Sequence, residues 1–379
     1  MELLLHTPSG TGRLADIYRD AFSSAVELFV VTAYLTEWDK SLALNPECKR
    51  FRMIIGKDFG ITRKAACEDV MTWLPARRKS QFLVADSLMG FHPKAVFWRD
   101  QAGRHFAIVG SSNLTKAAFD SNYEVNIFST ISAKDFESAK NWISEIEEAS
   151  VPVSEDWLDE YKEAPRNASH TARRGTASSE GALVSFKLPK PKGMREYIER
   201  RRGQIAAYQR SRSRLLAIFR KCANGSISSE DFYEKLQERW NSEIGNRLQG
   251  AGWERRGKSS NFQELARSYL KIFQATKQER DDVVSQEIDR LCELGNSSRA
   301  SFLSEMLCLE FPFLYPVLDK PVRTYLKVIR FRAPRGASEG ARYIDLAKKL
   351  RAAITQNPHH MAKSLAELDT VIWLEYGDK

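Results

Sequence analysis

The stretch from Phe91 to Asn126, FHPKAVFWRDQAGRHFAIVGSSNLTKAAFDSNYEVN, concentrates side chains able to act on a phosphodiester. His92 and Lys94 stand two residues apart, Gly110-Ser111-Ser112-Asn113 follows, and Glu124 closes the set. Breaking a phosphodiester without a metal needs three things: a nucleophile for phosphorus, a donor for the leaving oxygen, and fixed positive charge on the non-bridging oxygens. A neutral imidazole is a good nucleophile near pH 7. A lysine beside it supplies the cation, and Ser and Asn supply oriented donors. A carboxylate can bond the other imidazole nitrogen, fix its tautomer and stabilise the imidazolium, by the logic of a catalytic triad. No metal and no cofactor are expected at such a site.

The flanking sequence supplies elements to hold these groups. Val26 to Tyr34 is rich in β-branched and aromatic residues and reads as a buried strand; Phe51 to Ile55, ended by Gly56, reads as another. Leu3-Leu4-Leu5, Gln81 to Ala85, Lys94 to Trp98, His105 to Val109 and Val125 to Ser129 add further strands. A turn at Asp100-Gln101-Ala102-Gly103 joins two of them. Helical spacing runs over Leu14 to Phe22, over Arg63 to Leu74 with Thr62 as its N-cap, and over Ala133 to Ala149. Strands alternating with helices predict a layered α/β domain. Period-2 alternation places His92 and Lys94 on one face at a strand start. Gly110 ends the next strand, and a helix beginning at Thr115 or Lys116 turns its N-terminus toward an anionic oxygen.

Beyond residue 158 the character changes. Residues 159–182 hold few large apolar side chains, and 159–189 reads as a linker. Residues 190–379 read as a mostly helical domain, with periodic stretches at 194–222, 229–248, 262–274, 281–294, 301–309, 343–354 and 361–373. Phe311 to Pro316 is an apolar corner, and no fixed-period repeat occurs. Charge divides the same way. The whole chain carries +9, yet residues 1–150 hold 18 Lys/Arg against 19 Asp/Glu, while 190–379 hold 35 against 24. Residues 190–221 contain 11 basic side chains, among them Arg200, Arg201, Arg202, Arg210, Arg212 and Arg214, against only Glu196 and Glu199. Such a block suits a nucleic-acid backbone, because each neutralised phosphate releases condensed counterions. A solvated helix face is the competing reading.

His92-x-Lys94, Gly110-Ser111-Ser112-Asn113 and Glu124 together resemble the signature of the phospholipase D superfamily. The run from Asn113 to Ala118 and on to Asn122-Tyr123-Glu124 resembles its nuclease branch, which includes metal-independent restriction endonucleases. The resemblance implies a phospholipase D-like mixed β-sheet flanked by helices over residues 1–158. It implies that His92 forms a covalent phosphohistidine, that Lys94 and Asn113 bind the phosphate, that Ser111 supports it, and that Glu124 orients His92. The family often places an Asp five positions after the Lys; here that position is Arg99, and Asp100, one residue late, is given no role. The family reaction uses two histidines from two motifs. None of His6, His105, His170, His359 and His360 is followed by Lys two positions on, so one chain holds half a site. The implied assembly is a homodimer with both His92 side chains at the interface.

The leading expectation is thus a metal-independent endonuclease acting on DNA, or RNA, with a basic helical domain that holds the polyanion and a role in restriction or antiviral defence. One rival is a lipid phosphodiesterase or transferase, which would want an interfacial helix that the sequence does not contain. Another is a catalytically silent phosphate-binding module of a defence or DNA-repair complex. Five scattered cysteines, none spaced C-x-x-C, point away from a disulfide scaffold or thiolate zinc site. With no secretory signal and no long apolar run, the cytoplasm is the expected compartment and no membrane partner is expected. Tyr34, Trp73 and Trp98 read as core, Tyr197 and Tyr208 as interleaved with the arginines, and His359-His360 as a solvated turn.

Overall fold

Apolar residues of Leu28–Val31 and Phe51–Ile55 are buried on both faces, which only the middle of a covered sheet permits. The computed structural model, which describes residues 1–8, 13–165, 182–184, 186–248 and 259–377, places them there. Eight strands form one mixed sheet: β1 (Glu2–His6), β2 (Ala25–Thr32), β3 (Arg50–Ile55), β4 (Phe82–Val84), β5 (Lys94–Asp100), β6 (His105–Gly110), β7 (Glu124–Ile131) and β8 (Val151–Pro152). Their order is β1-β7-β6-β5-β2-β3-β4-β8. The pairs β2–β3 and β3–β4 are parallel and the other neighbours antiparallel.

Helices α1 (Arg13–Ser24), α2 (Lys64–Trp73), α3 (Lys116–Asp120), α4 (Ala133–Glu148) and α5 (Glu155–Glu160) accompany the sheet. Phe136, Ile143 and Ile146 of α4 pack on Phe29, Val31, Ile54, Leu83 and Ala95, one face of β2 to β5. On the opposite face Trp98, Phe106 and Phe128 stack across β5, β6 and β7. At the β6-β7-β1 end the face used by α4 is left open. Val109 stands opposite Ala95, Ile127 opposite Val109, and Leu3 opposite Ile127. These residues, with Val125 and Leu5, are exposed.

The β5–β6 hairpin turns as expected at Asp100 to Gly103, where Gly103 takes a φ of +79°. Asp100 accepts from the backbone N–H and Nε of Arg104, which accounts for a carboxylate the motif left unassigned. Arg99 pairs with Glu27. Thr62 is not the cap of α2: Arg63 occupies the N-cap position without a side-chain bond. The Thr62 hydroxyl donates instead to the Gly56 carbonyl, at 2.7 Å, and receives the Leu35 N–H. A partner across the fold outcompetes the local one.

Two compact units divide the chain: Met1–Val184 with Arg332–Ala337, and Ser185–Phe331 with Ser338–Lys379. Most of the expected linker, residues 166–181, lies outside the described residues. The first unit recruits six residues from far along the chain. The Arg332 N–H donates to the Asp156 carboxylate at 2.8 and 2.9 Å, and Lys79 Nζ donates to the Arg335 carbonyl.

The second unit is helical. It contains α6 (Met194–Ala223), α7 (Ser229–Gln237), α8 (Phe262–Gln274), α9 (Arg280–Glu293), α10 (Ser301–Glu310), α11 (Lys320–Val328), α12 (Glu339–Gln356) and α13 (Leu365–Tyr376). Its core joins Phe219, Phe232, Trp240, Tyr269, Phe302 and Met306. A capping box at Ser228 and Asp231 starts α7, but the helix stops at Gln237 rather than near residue 248. Asn246 ends it by accepting from the Asn241 N–H and donating to the Arg239 carbonyl, with Gly245 at a φ of +71°. Residues 361–363 fall outside α13, whose N-cap is Ser364. The helix α11, capped by Asp319 with a proline in its first turn, has no counterpart in the periodicity reading. No helix among the described residues is long and apolar enough to cross a membrane.

Candidate active site

The β5 ladder begins at Lys94, paired with Thr32 at the end of β2. Pro93 has no N–H to extend it, so His92 lies in the entering loop and not in the strand. The two side chains nevertheless meet. Lys94 Nζ lies 3.1 Å from His92 Nδ1 and 3.3 Å from Nε2. His92 is exposed and Lys94 partly buried. Among the described residues Lys94 makes no ion pair.

The Tyr34 ring meets the His92 imidazole edge to face, with centroids 5.6 Å apart. Tyr34 is buried, as its core assignment required, but it also supports the candidate nucleophile. Partial burial and then the neighbouring Lys94 ammonium lower the His92 pKa below the ordinary imidazole range, while Asp58 opposes them. Burial lowers Lys94 as well, with Glu124 opposing.

Asn113 is held by its carbonyl end. Its Oδ1 accepts the Tyr34 N–H at 3.2 Å and lies 3.0 Å from the Thr32 hydroxyl. A backbone N–H can only donate, so the amide orientation is settled and Nδ2, with its two protons, is left without a partner among the described residues. Gly110 is required where it stands: a Cβ would come 2.3 Å from both the Val125 carbonyl and Asn126 Oδ1. The turn after it packs directly on β7 in consequence. Ser112 is buried there and accepts from Asn126 Nδ2 at 2.7 Å. Thr115 caps α3, whose five residues make a short dipole.

Glu124 is not bonded to His92. Ser111 Oγ donates to its Oε2 and Asn122 Nδ2 to its Oε1, at 3.1 Å for the second. Ser111 Oγ in turn accepts the Val125 N–H at 3.0 Å. Within one chain, then, the structure does not bring Glu124 and His92 together as the orienting role expects: the two Glu124 oxygens are taken by Ser111 and Asn122. The carboxylate that acts on His92 is Asp58, which sits in a 3₁₀ turn after β3 and accepts the Phe91 N–H at 3.1 Å. Sequence reasoning passed over Asp58 and Thr32, read Tyr34 only as core, and quoted Asn122 without giving it a role. Among the described residues no three His, Cys, Asp or Glu side chains gather as a metal-binding group.

The six arginines chosen for nucleic-acid contact all lie on α6 but have unlike surroundings. Arg201 is buried, with Nη1 2.6 Å from Asp369 of α13, which removes it from any external ligand. Arg202 pairs with Glu367, and Arg212 with Glu310. Arg200, Arg210 and Arg214 are exposed and form no ion pair among the described residues. Tyr208 is a core residue, bonded to Tyr269 and Glu310 at 2.9 Å each. His360 is likewise buried and not solvated: its Nε2 is 2.9 Å from the Pro189 carbonyl, and its Nδ1 accepts the Ala362 N–H.

Residues 23–148 match the family model described as "Cardiolipin synthase, PLD-like domain". No curated protein matches the chain. Among the solved structures that match is NucT from Helicobacter pylori, at 19% sequence identity and a TM-score of 0.30, covering 40% of this chain and 99% of that one.

Proposed function

We propose that the domain over residues 23–148, which matches a phospholipase D-like family model, cleaves the phosphodiester bonds of DNA by a metal-independent route through a phosphohistidine on His92. The observation that carries this reading is the His92–Lys94 contact, an imidazole kept toward its neutral form by burial and an adjacent ammonium. A ring nitrogen of His92 attacks phosphorus as the bond to the leaving oxygen breaks. Lys94 and the Asn113 Nδ2 protons bear on the non-bridging oxygens, and Ser111 supports the turn that carries Asn113. Water then attacks phosphorus, giving its proton to the group that protonated the leaving oxygen, the phosphorus–nitrogen bond breaks, and His92 is restored.

The leaving oxygen needs a proton that the attacking His92 does not hold. With one His-x-Lys per chain, His92 of the partner subunit supplies it in a homodimer. The exposed apolar residues Val109, Val125, Ile127, Leu3 and Leu5, in strands adjoining Ser111 and Glu124, support contact with a second copy. Arg200, Arg210 and Arg214 support a polyanionic substrate. Restriction or defence is the biological setting we attach to this activity.

The test is incubation of purified protein with plasmid, single-stranded DNA, RNA and phosphatidylglycerol vesicles in excess EDTA, beside His92→Ala. Cleavage of DNA in EDTA, absent in the variant, is expected. The acid limb of the rate against pH should lie below the usual imidazole range, because the His92 pKa is lowered. Activity that appears only with added divalent cation, or hydrolysis of the vesicles alone, would replace this reading.

A further inference from the structure

We propose that Asp58 is a positioning residue for His92: it anchors the loop that presents the imidazole and supplies the negative charge that this imidazole meets within its own chain. The proposal rests on reading His92 as the nucleophile.

The anchoring is direct. Asp58 Oδ2 accepts the N–H of Phe91, the residue before His92, at 3.1 Å. The turn that carries Asp58 is built under constraint. Phe59 takes a φ of +59°, a left-handed conformation uncommon for a bulky side chain, and Gly60 follows at +62°. Such a backbone persists only where its surroundings over-determine it. Here residues 161–164 do so. Ala164 N–H donates to the Gly60 carbonyl at 2.9 Å, Arg63 Nη1 to the Ala164 carbonyl at 2.6 Å, and the Tyr161 hydroxyl to the Thr62 carbonyl at 3.0 Å. Only glycine fits at residue 60, because a Cβ would lie 2.5 Å from the Ala164 nitrogen.

The charge argument follows from what faces His92. From β5 comes Lys94, a cation, and from the loop after β2 the Tyr34 ring; the turn after β3 brings the Asp58 carboxylate to the Phe91 N–H, one residue before His92, where its charge acts on the imidazole through space. Glu124 of β7 is tied to Ser111 and Asn122 and acts on Lys94. Lys57, next to Asp58, is buried in an ion pair with Asp86 at 3.2 Å. When a ring nitrogen bonds phosphorus, the imidazole gains a positive charge. Lys94 opposes that charge and Asp58 favours it.

The test uses the full-length protein and two readouts. Asp58→Asn keeps an oxygen for the Phe91 N–H and removes the charge. The His92 ring is followed by NMR titration in the wild type and the variant, with the melting temperature checking the fold. The expected result is a His92 midpoint moved to lower pH by about half a unit or more, with the acid limb of the cleavage rate moving the same way. Asp58→Ala should add a loss of rate that Asp58→Asn does not show, because the loop anchor is gone. An unmoved His92 midpoint in a folded Asp58→Asn protein would overturn the proposal. The titration does not depend on turnover, so a protein without nuclease activity would defeat the function above while leaving this coupling to be decided by NMR.

Discussion

Lys94 and Arg201 are both cations drawn out of bulk water, and the fold treats them in opposite ways. Arg201 is locked 2.6 Å from the Asp369 carboxylate, with both side chains almost fully buried. Burial, then the neighbouring Asp369, pushes Asp319 up to about 7, so two carboxyls compete for that one guanidinium. Near Lys94 the carboxylate whose charge acts on it, Glu124, is already bonded by Ser111 and Asn122. A cation already neutralised can hold helices together, whereas one held short of its carboxylates keeps its field for an arriving phosphate.

Substitutions can break this contrast. Lys94→Ala should cost the larger effect, roughly 10²–10³-fold in kcat with the fold intact, as removal of one transition-state donor does elsewhere. Single-turnover cleavage measures it; a loss below tenfold would place the required charge on another residue. Arg201→Ala should leave the cleavage chemistry in place but destabilise the protein by about 3–5 kcal/mol, because a buried carboxylate loses its partner. Urea unfolding followed by circular dichroism would show it, and an unchanged midpoint would mean that the pair is dispensable. The smallest effect belongs to the exposed set. Replacing Arg200, Arg210 and Arg214 together by Gln should leave stability within about 0.5 kcal/mol. The same change should flatten the salt dependence of DNA affinity by about 0.9 in log–log slope for each phosphate no longer neutralised. If Arg202 and Arg212, paired with Glu367 and Glu310, gave the same reduction, the distinction between free and committed arginines would fail.

What the sequence made legible follows the same division. Local spacing singled out His92, Lys94, Ser111 and Asn113 as candidates, since a strand entry and a turn after a strand are short-range features. Seven of the eight strands were legible because β-branched and aromatic residues cluster in them, while β8, two residues at Val151–Pro152, was too short to be read. Asp58 was not legible: its partner Phe91 lies 33 residues away and is reached only through the crossover that makes β2 and β3 parallel. Arg201 sits in a basic run that reads as surface, and the carboxylate that buries it is 168 residues distant. Thr62 has the residue type and spacing of a cap but is claimed by Gly56, and α7 stops early because Asn246 reaches back to Asn241. In each case a long-range or side-chain partner overrode a local preference.

The six residues Arg332–Ala337, which complete the N-terminal unit through Asp156 and Lys79, bear on the order in which the protein is made. The first 184 residues leave the ribosome long before this segment does. At roughly 5–20 residues per second, the intervening stretch of about 150 residues takes about 8–30 s to synthesise. During that interval the sheet and its loops can assemble while the Asp156 carboxylate still lacks the backbone donor that Arg332 will bring. The sheet-bearing half of the molecule is thus finished only after the Ser185–Phe331 part of the helical half has been translated.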